Sequence, residues 1–300
     1  MKCLITGGAG FIVSNLALEL KKQGNNVTVL DNFLKGNMKN LEGFKGEVVE
    51  GDESKIPDEE FDVVFHLAAI TDTTVTDKQE MYDNNVNGFR LILEFCKKKN
   101  CKLVYASSGA TYGDGPVPMK EDQALNPLNV YGESKVEMDK MAKQGFFGKT
   151  LVGLRFFNVF GPREHFKGKM SSMIYQLALQ MKKGKNPRIF KHGEQERDHI
   201  YVKDVVTAVI KAASYDEFGI FNVATGTKTS FNQLIDFLNI SLKMDLKPEY
   251  FNNPFVGAYQ DTTVADMTKA EKELGFKAEY SVLDGVKDYI EWLNETGWYE

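Results

Sequence analysis

The sequence predicts an α/β protein: a doubly wound parallel sheet with a smaller, mainly helical unit woven into it. Three observations carry that prediction. Short β-rich runs alternate with helical patterns through the first 160 residues. A glycine-rich turn joins the first β-rich run to the first helical pattern. After about residue 161 the alternation gives way to a run of helical patterns and polar loops.

Taken in order, 2–6 is a short apolar run and 11–23 has helical periodicity, with Leu16, Leu18 and Leu20 among its apolar positions. Residues 27–31 (VTVLD) are again strand-like, and 47–50, 63–67 and 103–107 are three more β-rich runs. Between the last two lies a long helical pattern over about 80–98, and 151–155 reads as a sixth strand. Apolar strands that alternate with helices belong in a parallel sheet covered on both faces. Farther on, 170–183 is helical and Met/Leu-rich, and 185–198 is a polar loop region containing Pro and Gly. Residues 202–215 return to helix, 220–223 adds a seventh strand, and 231–242, 267–274 and 282–293 are short helices. The expected division is 1–160 plus about 198–224 for the sheet domain, and about 161–197 plus 225–300 for the second. Met170, Met173 and Met181 read as core filler.

The composition is that of a globular chain: 300 residues, 42% hydrophobic and 26% charged, which excludes disorder, collagen and coiled coil. A formal net charge of −5 argues against nucleic acid held by bulk charge. No apolar run approaches the roughly 18 residues that span a bilayer, so no membrane is expected. Cys3, Cys96 and Cys101 are an odd set without framework spacing, which fits a reducing compartment. The first residues enter a strand without a signal-peptide layout, so a cytoplasmic location is expected. His66, His165, His192 and His199 lack metal-ligand spacing, so no metal is expected.

Gly7-Gly8-Ala9-Gly10-Phe11-Ile12 lies between the first strand and the first helix. A glycine turn there lets backbone approach a pyrophosphate, and the helix N-terminus offers it unpaired N–H groups. Asp31 ends the second strand, where a carboxylate can bond a ribose hydroxyl. Together these features predict a Rossmann-type dinucleotide site. Asp52, after the third strand, is placed to reach the adenine, and Leu67-Ala68-Ala69 ends the fourth strand with the small residues a cofactor crossing the strand ends requires. Val13 stands where a third glycine usually permits close helix–strand packing, and is expected to push the helix slightly outward. NAD and NADP both stay open, in either case tightly bound: Asp31 repels a 2′-phosphate, whereas Lys35 and Lys39 can neutralise one.

Tyr131-Gly132-Glu133-Ser134-Lys135 places Tyr and Lys four apart, on one helix face. A free tyrosine, with a pKa of about 10, is too weakly acidic to act as a base at neutral pH. A nearby lysine and a nicotinamide cation favour its phenolate. Ser107-Ser108 ends the fifth strand, where a hydroxyl can bond the substrate. With these residues the chain resembles the extended short-chain dehydrogenase/reductase superfamily, through TGGAGFI (6–12), DN (31–32), FHLAA (65–69), YASSGATYG (105–113), YGESK (131–135) and RFFNVFGPR (155–163). The resemblance implies Ser108, Tyr131 and Lys135 as the catalytic trio and a C-terminal domain that binds a nucleoside-diphosphate sugar. It also implies pairing of copies through helices such as 80–98 and 131–145, hence a homo-oligomer.

Residues 127–132, 158–170, 197–205 and 258–262, with Thr73-Thr74 and Asn84-Asn85, resemble the ADP-glycero-manno-heptose 6-epimerases more closely. That resemblance implies inversion of a carbinol carbon by oxidation to a ketone and re-reduction on the other face. Two acid/base groups then serve the two epimers: Tyr131 for one and Lys167 for the other. Phe166 and Lys169 beside Lys167 are expected to lower its pKa. The resemblance also puts Thr71 and Asn85 on the nicotinamide side, with Gly7, Gly10, Phe11, Ile12, Asp31 and Asn32 along the rest of the cofactor. It puts Asn158 and Val159 near substrate and cofactor, and Lys169, Phe190, Arg197 and Tyr259 on the nucleotide-sugar, where the Arg197 guanidinium suits a diphosphate. Lys169 itself stands where the pattern has a small polar residue. Two other activities compete: UDP-sugar 4-epimerisation, disfavoured by the lysine at 167, and 4,6-dehydration, which uses an Asp-Glu pair where this chain has Gly109-Ala110. A non-catalytic dinucleotide sensor has only Val13 in its favour.

Overall fold

The computed structural model describes residues 1–252 and 262–298. In the first half, strands β1 (Lys2–Thr6), β2 (Asn26–Asp31), β3 (Glu47–Glu50), β4 (Val63–His66), β5 (Lys102–Ser108) and β6 (Leu151–Phe156) alternate with helices α1 (Phe11–Lys22), α2 (Lys78–Met81), α3 (Gly88–Lys99) and α4 (Val130–Gly145). Then follow β7 (Asn158–Phe160), α5 (Met173–Lys182), β8 (Arg188–Phe190), β9 (Glu196–Arg197), β10 (His199–Tyr201) and α6 (Val202–Ala212). The chain continues through β11 (Phe218–Val223), β12 (Thr229–Ser230), α7 (Phe231–Leu242), β13 (Glu249–Phe251), α8 (Thr268–Leu274) and α9 (Val282–Thr296).

The central sheet has seven strands in the order β11-β6-β5-β4-β1-β2-β3, and every pairing in it is parallel. The inner strands β1, β2, β4, β5 and β6 are buried on both faces, which is why they read as near-continuous apolar runs, whereas the edge strand β3 is largely exposed. In β1, Cys3 and Ile5 face one side and pack with α1 and α6 through Leu16, Leu20, Val205 and Val209. Leu4 faces the other side and packs with α3 and α4 through Phe89, Ile92, Met138 and Ala142. A third apolar cluster joins α5, α7 and α9 through Leu177, Leu238 and Leu293, with Phe160 and Tyr201 from β7 and β10 beneath them. Ile12 and Val159 touch both this cluster and that of the sheet. Among the described residues no helix is long and apolar enough to cross a membrane.

The helix expected over 80–98 is present as one continuous helical run over 78–99, whose stretch 82–87, between α2 and α3, is π-helical. Asn85 lies within that π-helical stretch and its side chain bonds outside the helix, as shown below. The stretch 185–198, expected as loop, contains β8 and β9, which pair with β13 and β12. Segments of two or three residues carry no periodic signal, so only their tertiary partners define them. The helix expected to begin at 170 starts at Met173, where Ser172 caps it by accepting from Tyr175 N at 3.2 Å. Ala270 and Leu274 of α8 pack into the sheet's cluster rather than into that of α5, α7 and α9.

Candidate active site

A cleft of about 1150 Å³ opens over the C-terminal ends of β1, β2, β4 and β5. That is the crevice where strand order reverses, between β1 and β4. It exceeds the roughly 300–1,000 Å³ of an ordinary single-ligand pocket, so it has room for two ligands side by side.

The residues at one end fit a dinucleotide. Gly7 has φ +72°, and a Cβ there would stand 2.8 Å from the Ala68 backbone. Gly10 caps α1 with no side-chain hydrogen bond and no acidic residue in the first turn, so the helix N-terminus keeps its N–H groups for an anion. Val13 is buried in the sheet's core. The close approach expected of a third glycine belongs instead to Gly8, whose Cβ would lie 2.2 Å from Val29 Cγ1. Asp31 Oδ2 accepts from Ala9 N at 2.9 Å and Oδ1 from Phe33 N at 2.7 Å. These bonds hold the carboxylate and use only part of its acceptor capacity, which leaves lone pairs for a ribose hydroxyl. Gly36 closes over it, since a Cβ there would stand 2.7 Å from Oδ1. Asn32, Lys35, Asp52 and Glu53 line the same end, whereas Lys39 does not. Bonds from Ser54 hold the Asp52 carboxyl below its ordinary pKa.

The chemistry-bearing residues meet farther along. Asn129 caps α4 by accepting from Gly132 N at 2.8 Å, which places Tyr131 in the first turn. Gly132 lies against the turn that follows β5: a Cβ there would be 2.8 Å from Ala110 O. That contact brings Tyr131 to Ser108, whose Oγ accepts from Ala110 N at 3.1 Å. Burial pushes the Tyr131 phenol up, and a hydrogen bond with Ser108 opposes it. One turn on, Lys135 is 1% exposed and donates from Nζ to Ala106 O at 2.9 Å. Its Nζ lies 5.8 Å from the Tyr131 ring centroid. Burial pushes its pKa down to about 8, and the Asp139 carboxylate opposes this, so Lys135 is still a cation at neutral pH.

Lys167 reaches the cleft from the other part of the chain, with Nζ 5.7 Å from the Phe11 ring centroid. Its pKa is lowered, as expected; the residue as a whole is exposed, so the cause is local, protein atoms crowding the amine where it enters the cleft, and Glu164 opposes it. Lys169 has no part in this. It is exposed and does not line the cleft.

Most of the other expected residues line the cleft: Phe11, Ile12, Leu67, Ala68, Ala69, Thr71, Asn158, Val159 and Arg197. Arg197 Nη1 donates to Glu196 O at 2.8 Å. Three expectations are corrected or lie elsewhere. Asn85 is fully buried and does not line the cleft. Its carboxamide accepts from Ile70 N at 2.8 Å and donates to Ile70 O at 3.0 Å and Ser134 Oγ at 3.1 Å, so it ties the loop after β4 to α4. Phe190 packs against Phe251, with ring centroids 4.9 Å apart, outside the cleft lining. Tyr259 lies outside the described residues. Sequence reasoning missed the positions that work by being small, Gly8, Gly36 and Gly132, although each glycine was visible in a motif or beside one. It also missed Glu53.

The NAD dependent epimerase/dehydratase family matches residues 3–224. Among solved structures, the chain is similar to the ADP-L-glycero-D-manno-heptose-6-epimerase of Helicobacter pylori, at 36% identity over 98% of this chain and 96% of that one, with a TM-score of 0.91. It is similar to the UDP-glucose 4-epimerase of Thermotoga maritima, solved with UDP-glucose, at 30% identity over 99% of each chain, with a TM-score of 0.91. It is also similar to the UDP-N-acetylglucosamine 4-epimerase of Methanobrevibacter ruminantium, solved with UDP-N-acetylmuramic acid, at 29% identity over 98% of each chain, again with a TM-score of 0.91. The glycine turn, the anchored Asp31, the Ser108–Tyr131–Lys135 group and the match across three quarters of the sequence lead to one conclusion: the chain belongs to the NAD-dependent epimerase/dehydratase family.

Proposed function

We propose that this chain is a nucleotide-sugar epimerase that inverts C6 of an ADP-linked D-glycero-D-manno-heptose. The observation that carries this reading is that two proton-carrying side chains from distant segments, Tyr131 and Lys167, line the same cleft. An epimerase that passes through a ketone needs a proton carrier for each epimer's hydroxyl, because inversion moves that hydroxyl. The similarity to the heptose epimerase at 36% identity supports the same substrate class. The two 4-epimerases, at 30% and 29%, support the broader class of nucleotide sugars.

Gly7, Gly10, the α1 N-terminus and Asp31 would hold NAD, which when bound would supply reversible hydride exchange at the carbinol carbon. The protein's own residues do the rest. Tyr131 exchanges a proton with the hydroxyl of one epimer, while Ser108 hydrogen-bonds that oxygen. Lys135 stabilises the phenolate by its charge. Lys167 exchanges a proton with the hydroxyl of the other epimer. Arg197 holds the diphosphate.

The test is NMR of the purified protein with NAD and ADP-D-glycero-D-manno-heptose, with UDP-galactose in parallel. The heptose should epimerise at C6, and Tyr131→Phe and Lys167→Met should each slow it by about 10²–10⁴-fold. Conversion of UDP-galactose alone would move the activity to 4-epimerisation and reduce Lys167 to a loop residue.

A further inference from the structure

A buried carboxylate is costly unless its oxygens are satisfied. Glu164 is fully buried, in the segment that runs from β7 to α5. Its Oε1 accepts from Gly161 N at 3.1 Å and Ser172 Oγ at 2.9 Å, and its Oε2 accepts from Ser172 N at 2.6 Å. All three partners donate, so the site is shaped for the ionised, acceptor-only form.

The two anchors lie at the ends of a loop. Gly161 has φ +140°, and a Cβ there would stand 2.7 Å from Val202 Cγ1, so this end sits hard against α6. Ser172 is the N-cap of α5. Between them, the Glu164 carbonyl accepts from Lys167 N at 2.9 Å, which winds a short turn up to the lysine. Gly168, with φ 55° and ψ −123°, then reverses the chain. Ser171 closes the reversal by donating to Gly168 O from N at 3.1 Å and from Oγ at 2.7 Å. Of the residues in 161–172, only Lys167 lines the cleft.

We infer that Glu164 is the positioning residue for Lys167: its carboxylate fixes the loop that carries the lysine to the cleft and sets an opposite charge beside it. The inference rests on the reading of Lys167 as the second proton carrier. Electrostatics runs the same way, since Glu164 holds up the Lys167 pKa that desolvation lowers, and Lys167 in turn opposes the rise of the buried carboxyl.

The experiment compares the wild type, Glu164→Gln, Ser172→Ala and Lys167→Met, all with NAD. Each is assayed for kcat and KM with the nucleotide sugar. Each is also acetylated with an N-hydroxysuccinimide ester, and the modification is mapped by peptide. Lys35, in the same cleft, serves as the internal reference. In folded Glu164→Gln, acetylation of Lys167 relative to Lys35 should rise several-fold, because the amine is freed and loses its counter-charge. Turnover should fall about tenfold with KM nearly unchanged, since the loss is in a proton step rather than in binding. Unchanged Lys167 acetylation in a folded Glu164→Gln would overturn the proposal. If that variant does not fold, Ser172→Ala, which removes one of the three donors, should move acetylation in the same direction to a smaller extent, and no movement would be equally fatal. Wild-type turnover in Lys167→Met would instead defeat the proton-carrier reading, and the acetylation result would still decide the positioning.

Discussion

Lys135 holds a positive charge largely withdrawn from water at the floor of the cleft: it is 1% exposed and its pKa is about 8 instead of 10.5. The sign of the stability effect follows from proton counting. Between pH 8 and 10.5 the unfolded chain keeps the proton that the folded chain has released, so stability rises with pH across that window. Below pH 8 the buried cation costs about 3 kcal/mol. Lys135→Met removes that cost and also the bond to Ala106 O, worth about 1 kcal/mol. We therefore expect the variant to be more stable than the wild type by roughly 1–2 kcal/mol at pH 7. The advantage should shrink by about pH 9.5, and activity should be lost. Urea unfolding at the two pH values checks it, and an advantage independent of pH would mean that packing, not charge, is responsible. The trio itself was legible in the sequence because its spacing is local: a tyrosine and a lysine one helical turn apart, and a Ser-Ser at a strand end. The glycine that brings them together was not, since the contact of Gly132 with Ala110 O is made between two elements.

At the scale of elements, the alternation of strands and helices was legible because each is long enough to show its period. The seven-stranded sheet follows from it nearly strand for strand. The exceptions are places where tertiary contacts override the local pattern. The helix expected over 80–98 runs through, but its middle is π-helical where Asn85 spends its carboxamide on Ile70 and Ser134. The fit of α1 to β2 is a second case. The expectation that Val13 would push the helix outward assumed that the close contact belongs to the third glycine. The contact is made by Gly8 against Val29, so a larger residue at 13 is absorbed into the core. Gly8→Ala should therefore cost about 1–3 kcal/mol by overpacking. Val29→Ala alone should also destabilise, through the cavity it leaves. The double variant should cost less than the sum, with a coupling of about 0.5–3 kcal/mol, because the added methyl enters the vacated space. Additive costs in urea unfolding would show that the two side chains do not meet.

Across the whole molecule, the cleft lies where the cluster built on the sheet meets the cluster of α5, α7 and α9, with Ile12 and Val159 touching both. The cofactor's expected anchors, Gly7, Gly10 and Asp31, belong to β1, β2 and the start of α1, whereas Lys167 and Arg197 come from the segments around α5 and β9. Ligands that bind only the folded state stabilise it in proportion to ln(1 + [L]/Kd), about 2.7 kcal/mol at a hundredfold excess over Kd. In a chain of this size that is roughly 5 °C in the melting temperature. If the two ends of the cleft take different ligands, their effects should be separable. NAD should raise the midpoint in the wild type, and ADP added at saturating NAD should raise it further, because the dinucleotide end is then occupied and ADP can act only at the other. In Arg197→Met the NAD shift should persist and most of the ADP shift should vanish, since the guanidinium that suits the diphosphate is gone. UDP in place of ADP, run alongside, reads the base preference without any need for turnover. An ADP shift that survives the substitution would take Arg197 out of the diphosphate site, and loss of the NAD shift as well would place the arginine with the cofactor instead.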